Sequence, residues 1–269
     1  MYSNEQTEEP SLCLYPAMSR QKNRPSVCIC VCVHVGERVR NMKRSEINRY
    51  IREFEAVLRT HRFELPPFLS FTPEEWREKG HEYDEIRENA LGWDITDFGG
   101  GCFDTKGLYL VTLRNGSVHN PKYPKTYAEK IMMLREGQVC PNHFHWHKME
   151  DIINRGGGNI LFRLWNAGKD EKADRETEVT VRSDGREYTV PCGSEIILKP
   201  GQSLSIYPFC YHEFSVQPGT GYVLIGEVSM CNDDNTDNRF EEAQGRFPPI
   251  TEDEPVYRYL CNEYPPAGN

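Results

Sequence analysis

The sequence predicts a mainly β protein, an antiparallel sandwich or small barrel with N-terminal α-helices. Three observations carry that reading. Between residues 108 and 228, short runs rich in β-branched and aromatic residues succeed one another with turn residues between them. A stretch with helical period precedes them, and an acidic, Pro-containing tail comes after. The chain has 269 residues, 38% hydrophobic and 27% charged, which suits one or two globular domains and is neither collagen-like nor disordered.

Residues 1–41 share no period with the rest of the chain. Arg20, Lys22 and Arg24 precede the apolar run VCICVCVHV, a faint imitation of a signal peptide. The run contains His34 and no small-residue cleavage site comes after it, so secretion is not expected. At nine residues the run is also well short of the ~20 that a membrane-spanning helix needs. We expect 1–41 to be a non-native or disordered extension, with Met42 as the natural start.

From Met42 the chain becomes periodic. Ser45 is the expected cap of a helix whose Ile47, Tyr50, Ile51, Phe54, Val57 and Leu58 recur on one face. Leu65-Pro66-Pro67 ends it. Thr72-Pro73-Glu74-Glu75 then supplies a cap, an N1 proline and a capping-box Glu for a second helix. Gly99-Gly100-Gly101 reads as a loop, with no lysine or helix after it to make a phosphate cradle. Residues 42–104 form the expected helical region packing on the barrel.

The strand runs are LYLVTL (108–113), KIMML (130–134), ILFRLW (160–165), TEVTVRSDGREYTV (177–190), EIILK (195–199), SLSIY (203–207), HEFSV (212–216) and YVLIGEV (222–228). Ser183-Asp184-Gly185 marks a hairpin and Pro200-Gly201 another turn. The barrel is expected over 105–230, with an acidic loop and tail over 231–269.

The net charge is −9, so the surface repels phosphate backbones and a nucleic-acid partner is not expected. From Glu227 onward ten acids face Arg239, Arg246 and Arg258, which reads as a solvated face. Of ten cysteines, Cys13, Cys28, Cys30 and Cys32 lie in the first 41 residues, and the other six contain no CxxC pair. A chain with a real core does not need staples, so reduced thiols and a cytoplasmic location are expected. The sequon at Asn115 then carries no meaning.

The chemistry concentrates in GQVCPNHFHWHKMEDIINRGG. Gly137, His143, His145, Glu150 and Gly157 stand in the pattern G-x5-H-x-H-x4-E-x6-G. On a strand, residues two apart share a face, so His143 and His145 point the same way. Lys148 and Met149 suggest a turn before His147 could join them, and Glu150 would return on the next strand. This is not HExxH, where two histidines lie one helical turn apart.

That frame resembles the first motif of the cupin superfamily, whose double-stranded β-helix (jelly-roll) barrels hold a divalent metal at the mouth. The second cupin motif is matched by Gly193, Pro208 and His212, without its internal Gly and with Val216 where Asn is usual. The resemblance implies His143, His145, Glu150 and His212 as metal ligands. Mixed N/O ligation suits Mn, Fe, Co, Ni or Zn, and the ion would act as a Lewis acid on two adjacent oxygens.

The helices, the stretch YAEKIMMLREGQVCPNHFHWHKMEDIINRGGG, the later GEVSMCNDDNTDNRF and the terminal YRYLCNEYP together resemble the D-lyxose isomerase family over about residues 42–264. The resemblance implies an Mn2+-dependent, homodimeric enzyme acting on a monosaccharide, interconverting D-lyxose with D-xylulose and D-mannose with D-fructose. Proton transfer between C2 and C1 through a cis-enediol needs a carboxylate near the carbons and a cation near the oxygens. Glu227 breaks the apolar run YVLIG, where an idle carboxylate would be expensive, and is the expected acid/base residue. Lys130 within KIMML is expected to face the barrel and serve both catalysis and substrate binding. Glu150 could share the proton transfer. Asp237 and Arg239 are the expected hydroxyl-binding pair of the next loop. The rivals are an Fe(II)-dependent cupin dioxygenase and a non-catalytic sugar-binding cupin.

Overall fold

The structure, a computed structural model, describes residues 40–268. The expected extension, apart from its last two residues, lies outside the described residues, as do Cys13, Cys28, Cys30 and Cys32.

The chain opens with β1 (Met42–Lys43), α1 (Arg44–Thr60), α2 (Pro73–Arg77) and α3 (Asp84–Glu88). Strands β2 (Gly92–Thr96), β3 (Leu108–Arg114), β4 (Tyr127–Arg135), β5 (Val139–Phe144) and β6 (Glu150–Gly157) succeed them. Next come β7 (Ile160–Asn166), β8 (Val179–Ser183), β9 (Arg186–Val190), β10 (Ile196–Leu198) and β11 (Ser203–Ile206). The last are β12 (Cys210–Val216), β13 (Tyr222–Met230), β14 (Arg239–Phe240) and β15 (Ile250–Thr251).

Helix α1 buries Ile47, Tyr50, Ile51, Phe54 and Leu58 against Trp93, Ile95, Tyr109 and Val111, the outer face of the sheet. Ser45 is not its cap. The helix begins at Arg44, and the Glu46 carboxylate accepts the Lys43 N–H at 3.0 Å. Ser45 lies inside the first turn, where its N–H and hydroxyl both donate to Asp253, each at 2.9 Å. The capping box of α2 forms as expected, with Thr72 Oγ1 accepting from Glu75 N–H and Glu75 accepting from Thr72 N–H.

The strands form a sheet in the order β2-β3-β4-β13-β6-β11-β8-β9 and a second in the order β10-β7-β12-β5-β14. Every pairing within these two sheets is antiparallel. Setting aside β2, β3, the β8–β9 hairpin and β14 leaves β4–β7 and β10–β13. The first of these pairs with the last, the second with the seventh, the third with the sixth and the fourth with the fifth, successive pairs falling in alternate sheets. A ribbon doubled over in this way is a jelly roll, the expected architecture. Asp184 and Gly185 both have positive φ (50° and 77°), which the tight β8–β9 turn demands.

Two connections matter for the site. GWDIT, a segment absent from the expected strand runs, forms β2 and extends the larger sheet beside β3. The tail folds back on the body: β14 pairs with β5, β15 pairs with β1, and Leu260 bridges to Trp93. Among the described residues, no helix is long and apolar enough to cross a membrane.

Candidate active site

Strand pairing brings the histidines together. His143 on β5 stands opposite His212 on β12 in register, and His145 comes one residue after β5 ends. The potential ligand atoms of His143, His145 and His212 all lie within 4.8 Å of one another. The framing glycines serve backbone geometry. Gly137 turns the chain from β4 into β5 with φ +94°, and a Cβ on Gly157 (φ +86°) would lie 2.5 Å from the Tyr222 carbonyl oxygen.

Each imidazole is oriented by a backbone carbonyl. Nδ1 of His143 donates to Pro141 O (2.8 Å), that of His145 to Asp237 O (2.7 Å) and that of His212 to Cys210 O (3.1 Å). Donation from Nδ1 leaves the lone pair on Nε2, as metal-binding histidines require. The buried Nε2 atoms of His145 and His212 make no hydrogen bond. Glu150 Oε1 nevertheless approaches them to 3.5 and 3.1 Å. Lone pairs converging on a carboxylate oxygen repel unless a cation lies between them, so the donor set fits a divalent ion.

A row of alternating charges runs from this centre. Lys148 Nζ lies 2.7 Å from Glu150 Oε2 and 3.1 Å from Glu227 Oε1. Lys130 Nζ lies 3.1 Å from the same Glu227 oxygen and donates to Asn232 Oδ1 at 2.5 Å. Asn232 donates to Asp234 at 2.7 Å, and Arg246 joins Asp234 to Asp94. Four carboxylates thus face three cationic side chains, an imbalance that a bound cation offsets.

The surroundings set the protonation states. Burial, reinforced by His212 and His145, holds His143 well below the usual imidazole range. Burial and the Lys148 charge lower His145. For Glu150, burial alone would raise the carboxyl, but the Lys148 charge and the two nearby imidazoles outweigh it and hold it well down. Burial likewise opposes the Lys148 charge, yet Glu150 and Glu227 raise the ammonium above its ordinary value. His143 and His145 are therefore held neutral and Glu150 ionised, the forms that bind metal.

These groups line a cavity of about 300 Å³, with Phe98, Leu110, Met132 and Phe240 among its apolar walls. Its size and its mixture of apolar walls with a few polar groups suit a small ligand. Lys130, Glu150 and Glu227 line it, as do the three histidines. Asp237 and Arg239, the expected hydroxyl-binding pair, do not line it. The Asp237 carboxylate accepts the backbone N–H groups of His147 and Lys148, each at 2.8 Å, behind the cavity wall. Arg239 points outward and pairs with Glu171 at 3.7 Å. His147 is exposed, and Trp146 and Trp165 pack in a separate aromatic cluster.

Sequence reasoning misses Lys148, Asp94 and Arg246, and places Asp234 only in a loop that could cover the mouth. Lys148 lies inside the histidine motif, where its neighbourhood reads as a turn. Asp94 and Arg246 come from separate segments, and no spacing links them.

The family model described as D-lyxose isomerase matches residues 42–264. The chain belongs to the D-lyxose isomerase family. Like other D-lyxose isomerases it is a sugar ketol-isomerase. It is 46% identical over 224 residues to the D-lyxose/D-mannose isomerase of Escherichia coli O157:H7, covering 83% of this chain and 98% of that protein. The D-lyxose/D-mannose isomerase of Serratia proteamaculans is 47% identical over 225 residues, with the same coverage. Among solved structures, the L-ribose isomerase of Acinetobacter sp. DL28 in complex with L-ribose aligns with a TM-score of 0.53 at 15% identity, over 78% of this chain and 98% of that one. At that identity the likeness shows a shared fold.

Proposed function

We propose that this D-lyxose isomerase family member interconverts D-lyxose and D-xylulose, and secondarily D-mannose and D-fructose, by proton transfer through a cis-enediol. The relatives' substrates support the choice of sugars. The observation that carries the chemistry is the buried Glu227 carboxylate, which meets two ammonium groups at 3.1 Å beside the histidine triad.

Glu227 takes the proton from C2 of the aldose and returns it to C1 of the enediol. Lys148 donates to Oε1 at 3.1 Å, and Lys130 Nζ lies 3.1 Å from the same oxygen. Lys148 and Lys130 stabilise negative charge developing on the sugar oxygens, a fixed electrostatic arrangement that needs no reorganisation. The apolar walls keep bulk water from the transferred proton. A divalent cation held by His143, His145, His212 and Glu150 would polarise the two substrate oxygens. We propose Mn2+ as the native ion; the three-nitrogen, one-oxygen donor set also suits Co2+, Fe2+, Zn2+ and Ni2+.

A homodimer in the cytoplasm is also proposed. Tyr127, Val228 and Met230 on paired strands, with Met149 just before β6, form an exposed apolar group, which supports self-association. The six cysteines of the described residues are all free thiols, which accords with a reducing compartment.

The test is a metal-stripped preparation, reconstituted with each divalent ion and assayed against a panel of aldoses in deuterated water. Isomerisation independent of oxygen, with solvent deuterium entering the product, is expected. No turnover with any ion, or activity that requires oxygen, would overturn the reading.

A further inference from the structure

Among the described residues, three buried side-chain atoms bordering the cavity lack a hydrogen-bond partner: Nε2 of His145, Nε2 of His212 and Oδ1 of Asp94. The first two converge on the cation centre. Asp94 belongs to a different part of the wall. It stands on β2, on the face opposite Trp93 and Ile95, which pack beneath α1, and its partner on β3 is Leu110.

The two oxygens of Asp94 differ. Oδ2 accepts Nε and Nη2 of Arg246, each at 3.2 Å. Oδ1 accepts nothing, and nearby Leu108, Leu110 and Phe98 have no side-chain donor to offer. Thr96, next along the same face, has its hydroxyl committed to the Arg246 carbonyl oxygen. A buried acceptor left open is costly, and a site that keeps one has a use for it.

Position gives the use. Glu227 on β13 faces Lys130 on β4, and Asp94 lies two strands beyond Lys130 across β3. At ~4.8 Å per strand, that is about 10 Å further along the sheet. A sugar with its carbonyl end at Glu227 sends its other end toward β2. We infer that Asp94, steered by Arg246, accepts a hydrogen bond from the hydroxyl at the end of the sugar remote from the carbonyl. Asp94 and neighbouring Asp234 then select a neutral, hydroxyl-terminated chain over one that ends in a methyl group or a carboxylate.

The inference rests on the aldose–ketose reading above, and the test separates the two. Wild type, Asp94→Ala and Asp94→Leu are compared on D-mannose and 6-deoxy-D-mannose, with melting curves and bound-metal content as controls for folding. On D-mannose, Asp94→Ala is expected to lower kcat/KM about 10- to 100-fold, the range for hydrogen bonds to charged groups. On 6-deoxy-D-mannose, which has no hydroxyl to lose, the change should stay under about 3-fold. Equal losses on both sugars, or undiminished turnover of D-mannose, overturn the inference. If Asp94→Ala does not fold, Asp94→Leu, which also lacks an acceptor and is close to Asp in size, carries the same comparison by the same criteria. A wild-type protein that isomerises neither D-lyxose nor D-mannose removes the underlying reading, and the inference with it.

Discussion

Glu227 and Lys130 stand directly opposite each other on paired antiparallel strands, their Oε1 and Nζ atoms 3.1 Å apart and each side chain 5% exposed. Burying two charges this deeply is rarely a gain in stability, because desolvation offsets the attraction. A proton-transfer group with a stabilising cation at its side gives the pair a purpose that stability does not.

Glu227→Gln therefore keeps the shape of the cavity and removes the base. A loss of about 10²- to 10⁴-fold in kcat is expected, with metal content retained and sugar binding little changed. Steady-state kinetics with metal analysis checks this. Turnover at the wild-type rate would assign the proton transfer elsewhere.

His145→Ala removes one of the three converging imidazoles and leaves Glu150 beside His212 and Lys148. Bound metal and activity should fall together, with elemental analysis as the measurement. A variant depleted of metal yet fully active would refute the Lewis-acid role.

Asp237 is predicted to act by holding other groups in place. Its carboxylate fixes the N–H groups of His147 and Lys148, and its backbone carbonyl orients His145. Asp237→Ala should weaken metal binding about 10- to 100-fold, the usual cost of losing a group that orients a ligand. Asp237→Asn, which keeps one acceptor, should recover part of that loss in a metal titration.

Acid should destabilise the metal-stripped protein in two steps. His143 and His145 are held below the ordinary 6.5, so the unfolded chain takes up protons before the folded one does. Stability present above pH 6.5 is then lost as the pH falls toward their depressed folded values. Glu150 adds a second loss as the pH falls below its ordinary 4.5. Melting temperatures across this range test the sign; a protein that became more stable on acidification would contradict it.

Arg44 is 1% exposed and joins Glu252 (2.7 Å) and Glu263 (2.5 Å), tying α1 to the tail. Arg44→Ala is expected to cost about 2–3 kcal/mol, less than a fully buried pair because Glu252 is half exposed. That corresponds to a drop of roughly 5–10 °C in Tm by calorimetry.

How much is legible in the sequence depends on how local each signal is. His143, His145 and Glu150 fall within eight residues, and strand alternation sets the histidines side by side. Glu227 and Lys130 announce themselves as charges inside apolar strands. Asp237 and Arg239, expected to fix a hydroxyl as an Asp–Arg pair, are not paired with each other, because the path of their loop is not legible in the sequence. The chain turns between them, β14 begins at Arg239, and backbone N–H groups claim the Asp237 carboxylate first. Asp94 gives no signal because GWDIT is short and its partner Arg246, shared with Asp234, lies far along the chain. Only tertiary folding brings those three together.

Arg246 reaches the cavity from the tail, and Asp94 from a strand added outside the doubled ribbon. The two ends of the pocket therefore differ in how portable they are. Grafting residues 127–240 onto another scaffold would transplant the proposed cation ligands, the Asp237 that orients them and the proposed proton-transfer pair, while Asp94 and Arg246 stayed behind. Diversification of this enzyme toward other sugars has its freest field in β2 and around Arg246, away from the histidines and Glu227.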